Sequence, residues 1–136
     1  MDVIQMTREL GKAIQQDERY IIYNLAKQVN DDDKELQEEI IKFENLRNDM
    51  RETMSVENPD FDKINAIDKE TKALYQKIMS NPNMISFNKA QTALEELISN
   101  INQIISLCAN GEDPDTCEPS NKSSCSGNCS ACGGCG

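Results

Sequence analysis

The sequence of 136 residues contains no histidine and no tryptophan, and aromatic residues make up only 4% of it. The lack of histidine excludes a Ser-His-Asp or Cys-His arrangement for nucleophilic catalysis, and it excludes a Glu-x-x-His motif for a di-iron site. The glycine-rich loops G-x-x-x-x-G-K-S/T and G-x-G-x-x-G, which hold nucleotide phosphates, are also missing. The abundant carboxylates lie on the polar faces of predicted helices. The sequence therefore predicts a protein that is not an enzyme.

Long apolar runs are missing as well, because no stretch approaches the ~20 apolar residues of a membrane span. The N-terminus, Met1 to Leu10, lacks a basic region followed by an apolar region, so it does not resemble a secretory signal. The formal net charge is −10, whereas tight binding of DNA or RNA needs a basic face. We therefore expect a cytoplasmic protein without membrane insertion and without direct contact to nucleic acid.

The apolar residues of the first 108 positions recur at steps of three and four, which is the period of an α-helix. No segment shows the alternation of a β-strand. We therefore predict an all-α protein of about five helices in an elongated bundle. Helices this long leave apolar surface uncovered in so short a chain, so we expect a homodimer or a hetero-oligomer. The five apolar stripes run from Val3 to Ile14, Ile21 to Val29, Leu36 to Met54, Phe61 to Ile78, and Phe87 to Cys108.

Polar residues predict where these helices begin and end. A break is expected near Asp17, which can cap the second helix, and the acidic run 31–33 is expected to begin the third. Asn58 followed by Pro59 predicts the start of the fourth helix, because proline is favoured at the first helical position. The fourth helix should end near residues 81–83, and Asn110-Gly111 should end the fifth.

The residues after Cys108 differ from the rest of the chain. From Ala109 to the C-terminus there is no Leu, Ile, Val, Phe or Met, so the core must come from the first 108 residues. We therefore divide the chain into a helical domain, residues 1–108, and a polar linker with a cysteine-rich tail, residues 109–136. Pro114, Pro119, serines and acidic residues indicate that this second segment is flexible.

Four of the six cysteines lie at the end of the tail with the spacing C-x3-C-x2-C-x2-C: Cys125, Cys129, Cys132 and Cys135. Thiolates this close can converge on one centre, and all-thiolate sets select zinc, Cu(I) or iron–sulfur clusters. Structural zinc usually takes two C-x-x-C pairs separated by a longer loop, so this crowding favours a cluster held by one open loop. These four cysteines are the predicted metal ligands, and Cys117 and Cys108 are weaker candidates.

Other interpretations of the tail stay open. The tail can be a disordered, reduced segment, or it can form disulfides, although disulfides need an oxidising compartment. Zinc in place of a cluster would make the protein a zinc-stapled interaction module. The Ser/Cys/Gly-rich residues 123–130 after a helical segment also look like the core of a ribosomally made modified peptide, for which the helices would be the leader.

Three segments of the helical part resemble the YlbF/YmcA family of bacterial regulators. They are Arg8-Glu9-Leu10-Gly11-Lys12-Ala13-Ile14, the tyrosine pair in Tyr20-Ile-Ile-Tyr23, and the segment from Asp33 to Phe43 with its pattern Glu-Leu, Ile, Phe. The likeness covers residues 3–108. The cysteine-rich tail also looks like the tails that some members carry.

The resemblance implies a small all-helical cytoplasmic protein without catalysis of its own. Family members form homo- or hetero-oligomers and associate with a third protein in a complex that carries [4Fe–4S] clusters. That complex modulates the membrane-anchored endoribonuclease Y, and through it mRNA maturation, competence, sporulation and biofilm formation. By position in the chain, the resemblance implies that Cys125, Cys129, Cys132 and Cys135 are the cluster ligands.

Overall fold

The computed structural model describes residues 2–120, and in that range it contains five α-helices and no β-strand. This confirms the predicted all-α fold. The chain divides into two compact units, of which the first ends at Leu94 and the second begins at Glu95. The division predicted at residues 108 and 109 stays a prediction. The helices are α1 (Val3–Gln16), α2 (Glu18–Asp32), α3 (Lys34–Met54), α4 (Phe61–Met79) and α5 (Pro82–Ala109).

Four of the helices begin in the same way, with an aspartate whose side chain accepts a hydrogen bond from a backbone N–H of the first turn. Such a cap satisfies one of the N–H groups that a helix start leaves without a partner. The predicted break at Asp17 and the boundary within residues 31–33 are therefore confirmed. The four caps are Asp2 for α1, Asp17 for α2, Asp33 for α3 and Asp60 for α4.

The predicted start of α4 at Asn58 and Pro59 is wrong. Asp60 caps this helix instead, since its Oδ1 accepts hydrogen bonds from the N–H groups of Asp62 and Lys63. The carboxylate of Asp60 thus satisfies two backbone N–H groups that the start of α4 would otherwise leave without a partner.

Proline does begin a helix elsewhere in the chain, at Pro82, the first residue of α5. The side chain of Asn81 caps this start, because its Oδ1 accepts from the N–H of Asn83 at 2.8 Å and from that of Met84 at 3.4 Å. Only Ser80 and Asn81 therefore lie between α4 and α5, and proline takes the first helical position of α5.

Helices α3 and α4 form an antiparallel hairpin. Lys42 Nζ lies 3.4 Å from Glu70 Oε1, while Lys77 Nζ, farther along α4, lies 3.7 Å from Glu39 Oε1. Because the partner moves back along α3 as the chain moves forward along α4, the two helices run in opposite directions. The hairpin supplies most of the buried apolar side chains of the described residues: Leu36, Leu46, Ile67 and Ile78.

Within the unit that ends at Leu94, α2 lies antiparallel to the first part of α5. The rings of Tyr23 and Phe87 have centroids 5.7 Å apart, and Asn30 Nδ2 lies 3.5 Å from Met84 Sδ. Asn30 is one of the few buried polar residues. One side of α2 is therefore packed against the first part of α5.

Asp33 joins the α2–α3 junction to the α4–α5 junction. Its Oδ2 accepts hydrogen bonds from Asn83 Nδ2 at 3.0 Å and from Asn81 Nδ2 at 3.3 Å, and its Oδ1 accepts from the N–H of Leu36 at 3.1 Å. These donors, with the Leu36 N–H the strongest, hold the pKa of Asp33 below its ordinary value of 3.8. This carboxylate therefore fixes the place where the α3–α4 hairpin meets its neighbours.

The core is small for the number of helices. Only five apolar residues between positions 2 and 120 are buried, namely the four of the hairpin and Ala90 of α5. Many large apolar side chains in that range are exposed instead, and α1 has no buried residue at all. Exposed apolar faces of this extent are candidate surfaces for contact with other molecules.

Candidate functional site

The last helix ends in a left-handed turn at Gly111, whose φ is +91°. The N–H of Glu112 donates to the carbonyl of Leu107 and the N–H of Gly111 donates to the carbonyl of Cys108, each at 3.0 Å. These two bonds form a Schellman motif, which satisfies carbonyls at the helix end. The predicted stop at Asn110-Gly111 is confirmed.

After this turn the chain doubles back towards the body of α5. The N–H of Cys117 donates to the carbonyl of Asp113 at 2.9 Å, which closes a second turn. Farther on, Ser120 Oγ lies 3.3 Å from Gln103 Oε1, a side chain well before the end of the helix. The two turns therefore return the polar linker alongside the C-terminal part of α5.

This return brings the side chain of Cys117 close to that of Cys108. Cys108 and Cys117 are both free thiols and half-buried. Burial, followed by the interaction with the Cys108 side chain, raises the pKa of the Cys117 thiol above its ordinary value of 9.0. Cys117 is therefore protonated at neutral pH, and a metal that bound it would have to displace that proton.

The four predicted ligands Cys125, Cys129, Cys132 and Cys135 lie outside the described residues. Between positions 2 and 120 no three metal-ligating side chains lie close enough to hold an ion. The thiols in this range are those of Cys108 and Cys117. The donor chemistry of the whole sequence, six thiols and no imidazole, fits a soft metal or an iron–sulfur cluster.

A second candidate surface lies on α2, beside the start of α5. Ile21, Ile22, Leu25 and Val29 are exposed there. A groove with a volume of about 250 Å³ runs beside them, and its lining comes from α2 and the start of α5: Ile22, Leu25, Ala26, Val29, Asn83 and Ser86. Periodicity identified these positions as an apolar stripe, but it gave no sign that most of the stripe faces solvent.

A bilayer crossing would need a long apolar helix, and none of α1 to α5 meets that requirement.

The described residues form a small all-α protein with a small core and exposed apolar helix faces, and the sequence continues into a thiol-rich C-terminal segment. The sequence model of one family, described as "Control of competence regulator ComK, YlbF/YmcA", matches residues 3–107. Because this match spans most of the 136 residues, the chain belongs to the YlbF/YmcA family, a family of regulators. No curated protein and no solved structure matches the chain.

Proposed function

We propose that this protein is a non-enzymatic regulatory subunit of the cytoplasm that assembles with related helical proteins and binds a [4Fe–4S] cluster through its C-terminal cysteines. The observation that carries the regulatory role is the family match over residues 3–107. The small core and the exposed apolar faces support assembly with other chains. The six cysteines support the cluster.

Cys125, Cys129, Cys132 and Cys135 would hold the cluster, since four thiolates complete the ligand set of a [4Fe–4S] centre. When bound, such a cluster supplies a redox-active, oxygen-sensitive group that can also fix the tail to a partner. The Cys108–Cys117 pair is a weaker source of ligands, because the raised pKa of Cys117 disfavours its thiolate.

The regulated target would be an endoribonuclease, reached through a third member of the complex. The net charge of −10 supports an indirect action on RNA, because an acidic chain repels the phosphate backbone. Regulation of this nuclease would affect mRNA maturation and, through it, competence, sporulation and biofilm formation.

The test is expression and purification without oxygen, followed by an absorption spectrum and by iron, sulfide and zinc analysis. We expect brown protein with near-equal iron and sulfide. The variant Cys129→Ser/Cys132→Ser should lose both, while the matched control Cys108→Ser/Cys117→Ser should keep them.

Other outcomes would replace the cluster by one of the alternatives. Colourless protein with one zinc would indicate a zinc-stapled interaction module, since Zn²⁺ has no visible absorption. A chain from the native host that has lost water or hydrogen, or is cleaved near Gly111, would indicate a modified-peptide precursor. Absence of iron, sulfide and zinc, even with partners present, would reject metal binding by the tail.

A further inference from the structure

One face of α2 has a regular arrangement of charge and apolar surface. Glu18, Ile22, Leu25, Val29 and Asp32 follow one another at steps of four and three, so they lie on a single helix face. Glu18 and Asp32 are the first and last residues of α2. This surface, called the α2 face below, therefore has a carboxylate at each end and three aliphatic side chains between them.

The aliphatic part of the α2 face is open to solvent. Ile22 is 54% exposed, Leu25 60% and Val29 52%. The groove of about 250 Å³ lies directly beside them, and no charged residue lines it. Small side chains at Ala26 and Ser86 form part of that lining, and small residues allow another helix to approach closely.

The two carboxylates at the ends are available to a partner. Neither Glu18 nor Asp32 takes part in an ion pair with any residue between positions 2 and 120. At a rise of 1.5 Å per residue, they lie about 20 Å apart along the helix axis. A helix lying along this face would meet negative charge at both of its ends and uncharged, mostly aliphatic surface at its middle.

We propose that the α2 face docks an amphipathic helix of another protein, one with aliphatic residues at its centre and a lysine or arginine at each end of the same face. This proposal rests on the proposed function, because it names the kind of partner that the regulatory subunit would bind. The aliphatic centre gives affinity by leaving water, and the two basic ends give orientation and specificity.

A second copy of the same face does not fit as the occupant. A two-fold axis would set Glu18 against Asp32 in an antiparallel pair, and like ends against each other in a parallel pair. Both arrangements bring carboxylates together on a chain whose net charge is already −10, which costs free energy. The chain's own C-terminal segment does not fit either, since residues 109–136 contain no Leu, Ile, Val, Phe or Met.

The test uses the full chain and a synthetic helical peptide labelled with fluorescein. The peptide carries leucines at steps of four and three and two lysines fourteen positions apart on the same face, matching the spacing of Glu18 and Asp32. A control peptide has glutamates in place of these lysines. We expect fluorescence anisotropy to show binding of the lysine peptide that weakens with salt, and at least about tenfold weaker binding of the glutamate peptide.

Variants of the protein locate the site. Leu25→Asp should abolish binding, whereas Ile41→Asp, on α3, should not change it; the two parent side chains are equally exposed, at 60% and 61%. The double variant Glu18→Lys/Asp32→Lys should bind the glutamate peptide more tightly than the lysine peptide. Far-UV circular dichroism checks that each variant is folded. If Leu25→Asp unfolds, Leu25→Ser, which adds no charge, replaces it in the binding assay.

Three results would overturn the proposal: no binding of either peptide, equal binding of both, or unchanged binding by the Leu25 variants. Sedimentation showing that the wild type is a dimer and Leu25→Asp a monomer would also overturn it, because a second copy would then cover the face. The assay needs neither iron nor a ribonuclease. Failure here therefore leaves the cluster and the regulatory role standing, and their failure leaves this binding result unaffected.

Discussion

Leu36 is the only large side chain among residues 2–120 that is completely shielded from solvent, with an exposed fraction of 0%. It lies in the first turn of α3, three residues after the cap Asp33, and its own N–H is the donor to Asp33 Oδ1. The apolar side chain and the polar cap therefore stabilise the same turn, one by leaving water and the other by satisfying a backbone group.

Replacement of this side chain should be costly. Leu36→Ala is expected to lower the free energy of unfolding by about 2–5 kcal/mol, because a fully buried leucine leaves a cavity when it is shortened. Urea denaturation followed by far-UV circular dichroism measures the change. The control Ile41→Ala, at a side chain that is 61% exposed, should change it by less than about 0.5 kcal/mol. Equal effects of the two substitutions would contradict this account of the core.

Asp33 predicts a pH dependence of stability. Its pKa in the folded protein is lowered from the ordinary value of 3.8, so the folded state favours the ionised form. The stabilisation is present above the ordinary pKa and is lost as the pH falls through the lowered value. Asp33→Asn, which cannot ionise, should therefore melt at a lower temperature than the wild type at pH 7.

The difference between the two melting temperatures should shrink as the pH is lowered below 3.8. Thermal melts of both proteins across this range measure it, and the other carboxylates cancel because they are common to both chains. A difference that stayed constant at every pH would show that ionisation of Asp33 makes no contribution.

At the scale of the element, the end of α5 depends on one backbone conformation. Gly111 has a positive φ of 91°, and a Cβ built there would meet no atom within 4 Å. The requirement for glycine is therefore conformational and not steric. The left-handed conformation costs a residue with a Cβ about 1–2 kcal/mol, and the cost is smaller for asparagine than for most residues.

Gly111→Ala should therefore open the turn that returns Cys117 to the side of Cys108. We expect about tenfold faster alkylation of Cys117 by iodoacetamide, since a penalty of this size shifts an equilibrium by about a factor of ten. Mass spectrometry of the peptide that contains Cys117 measures the rate. Gly111→Asn should fall between the alanine variant and the wild type, and an unchanged rate in both variants would show that the turn does not protect this thiol.

Periodicity and capping residues predicted the five helices, because both are local properties of the sequence. They did not predict which apolar positions are covered. Met54 and Phe61 continue the stripes of α3 and α4, yet they are 60% and 71% exposed. Helical period identifies a face, whereas burial depends on which other helix comes to lie there, and that is set by contacts between distant residues such as Asp33 and Asn83.

The same limit applies to the candidate sites. The approach of Cys117 to Cys108 depends on two successive turns, of which only Gly111 gave a clear signal. Periodicity predicted the apolar stripe from Ile21 to Val29, which shares Leu25 and Val29 with the α2 face, but it did not predict the carboxylates at the ends of that face or the exposure of its aliphatic side chains. The spacing of Cys125, Cys129, Cys132 and Cys135 and the family resemblance predict them as metal ligands, and this stays a prediction because they lie outside the described residues.

At the scale of the molecule, the buried core and the proposed metal ligands lie in different parts of the chain. The buried apolar residues lie between Leu36 and Ala90, whereas four of the six cysteines lie after position 120. If the tail binds a metal as proposed, this separation would let the tail respond to its surroundings without unfolding the helices. The small core and the many exposed apolar side chains of the helices are consistent with this separation.

This separation predicts that Cys129→Ser/Cys132→Ser leaves the fold unchanged. Residues 109–136 contain no Leu, Ile, Val, Phe or Met, so the tail adds almost no apolar burial to lose. Far-UV circular dichroism and the thermal midpoint of the metal-free variant should equal those of metal-free wild type. Leu36→Ala in the same experiment should lower the midpoint by several degrees. A loss of helix in the cysteine variant would mean that the tail is part of the folded core, and the division between a stable helical part and a responsive tail would have to be abandoned.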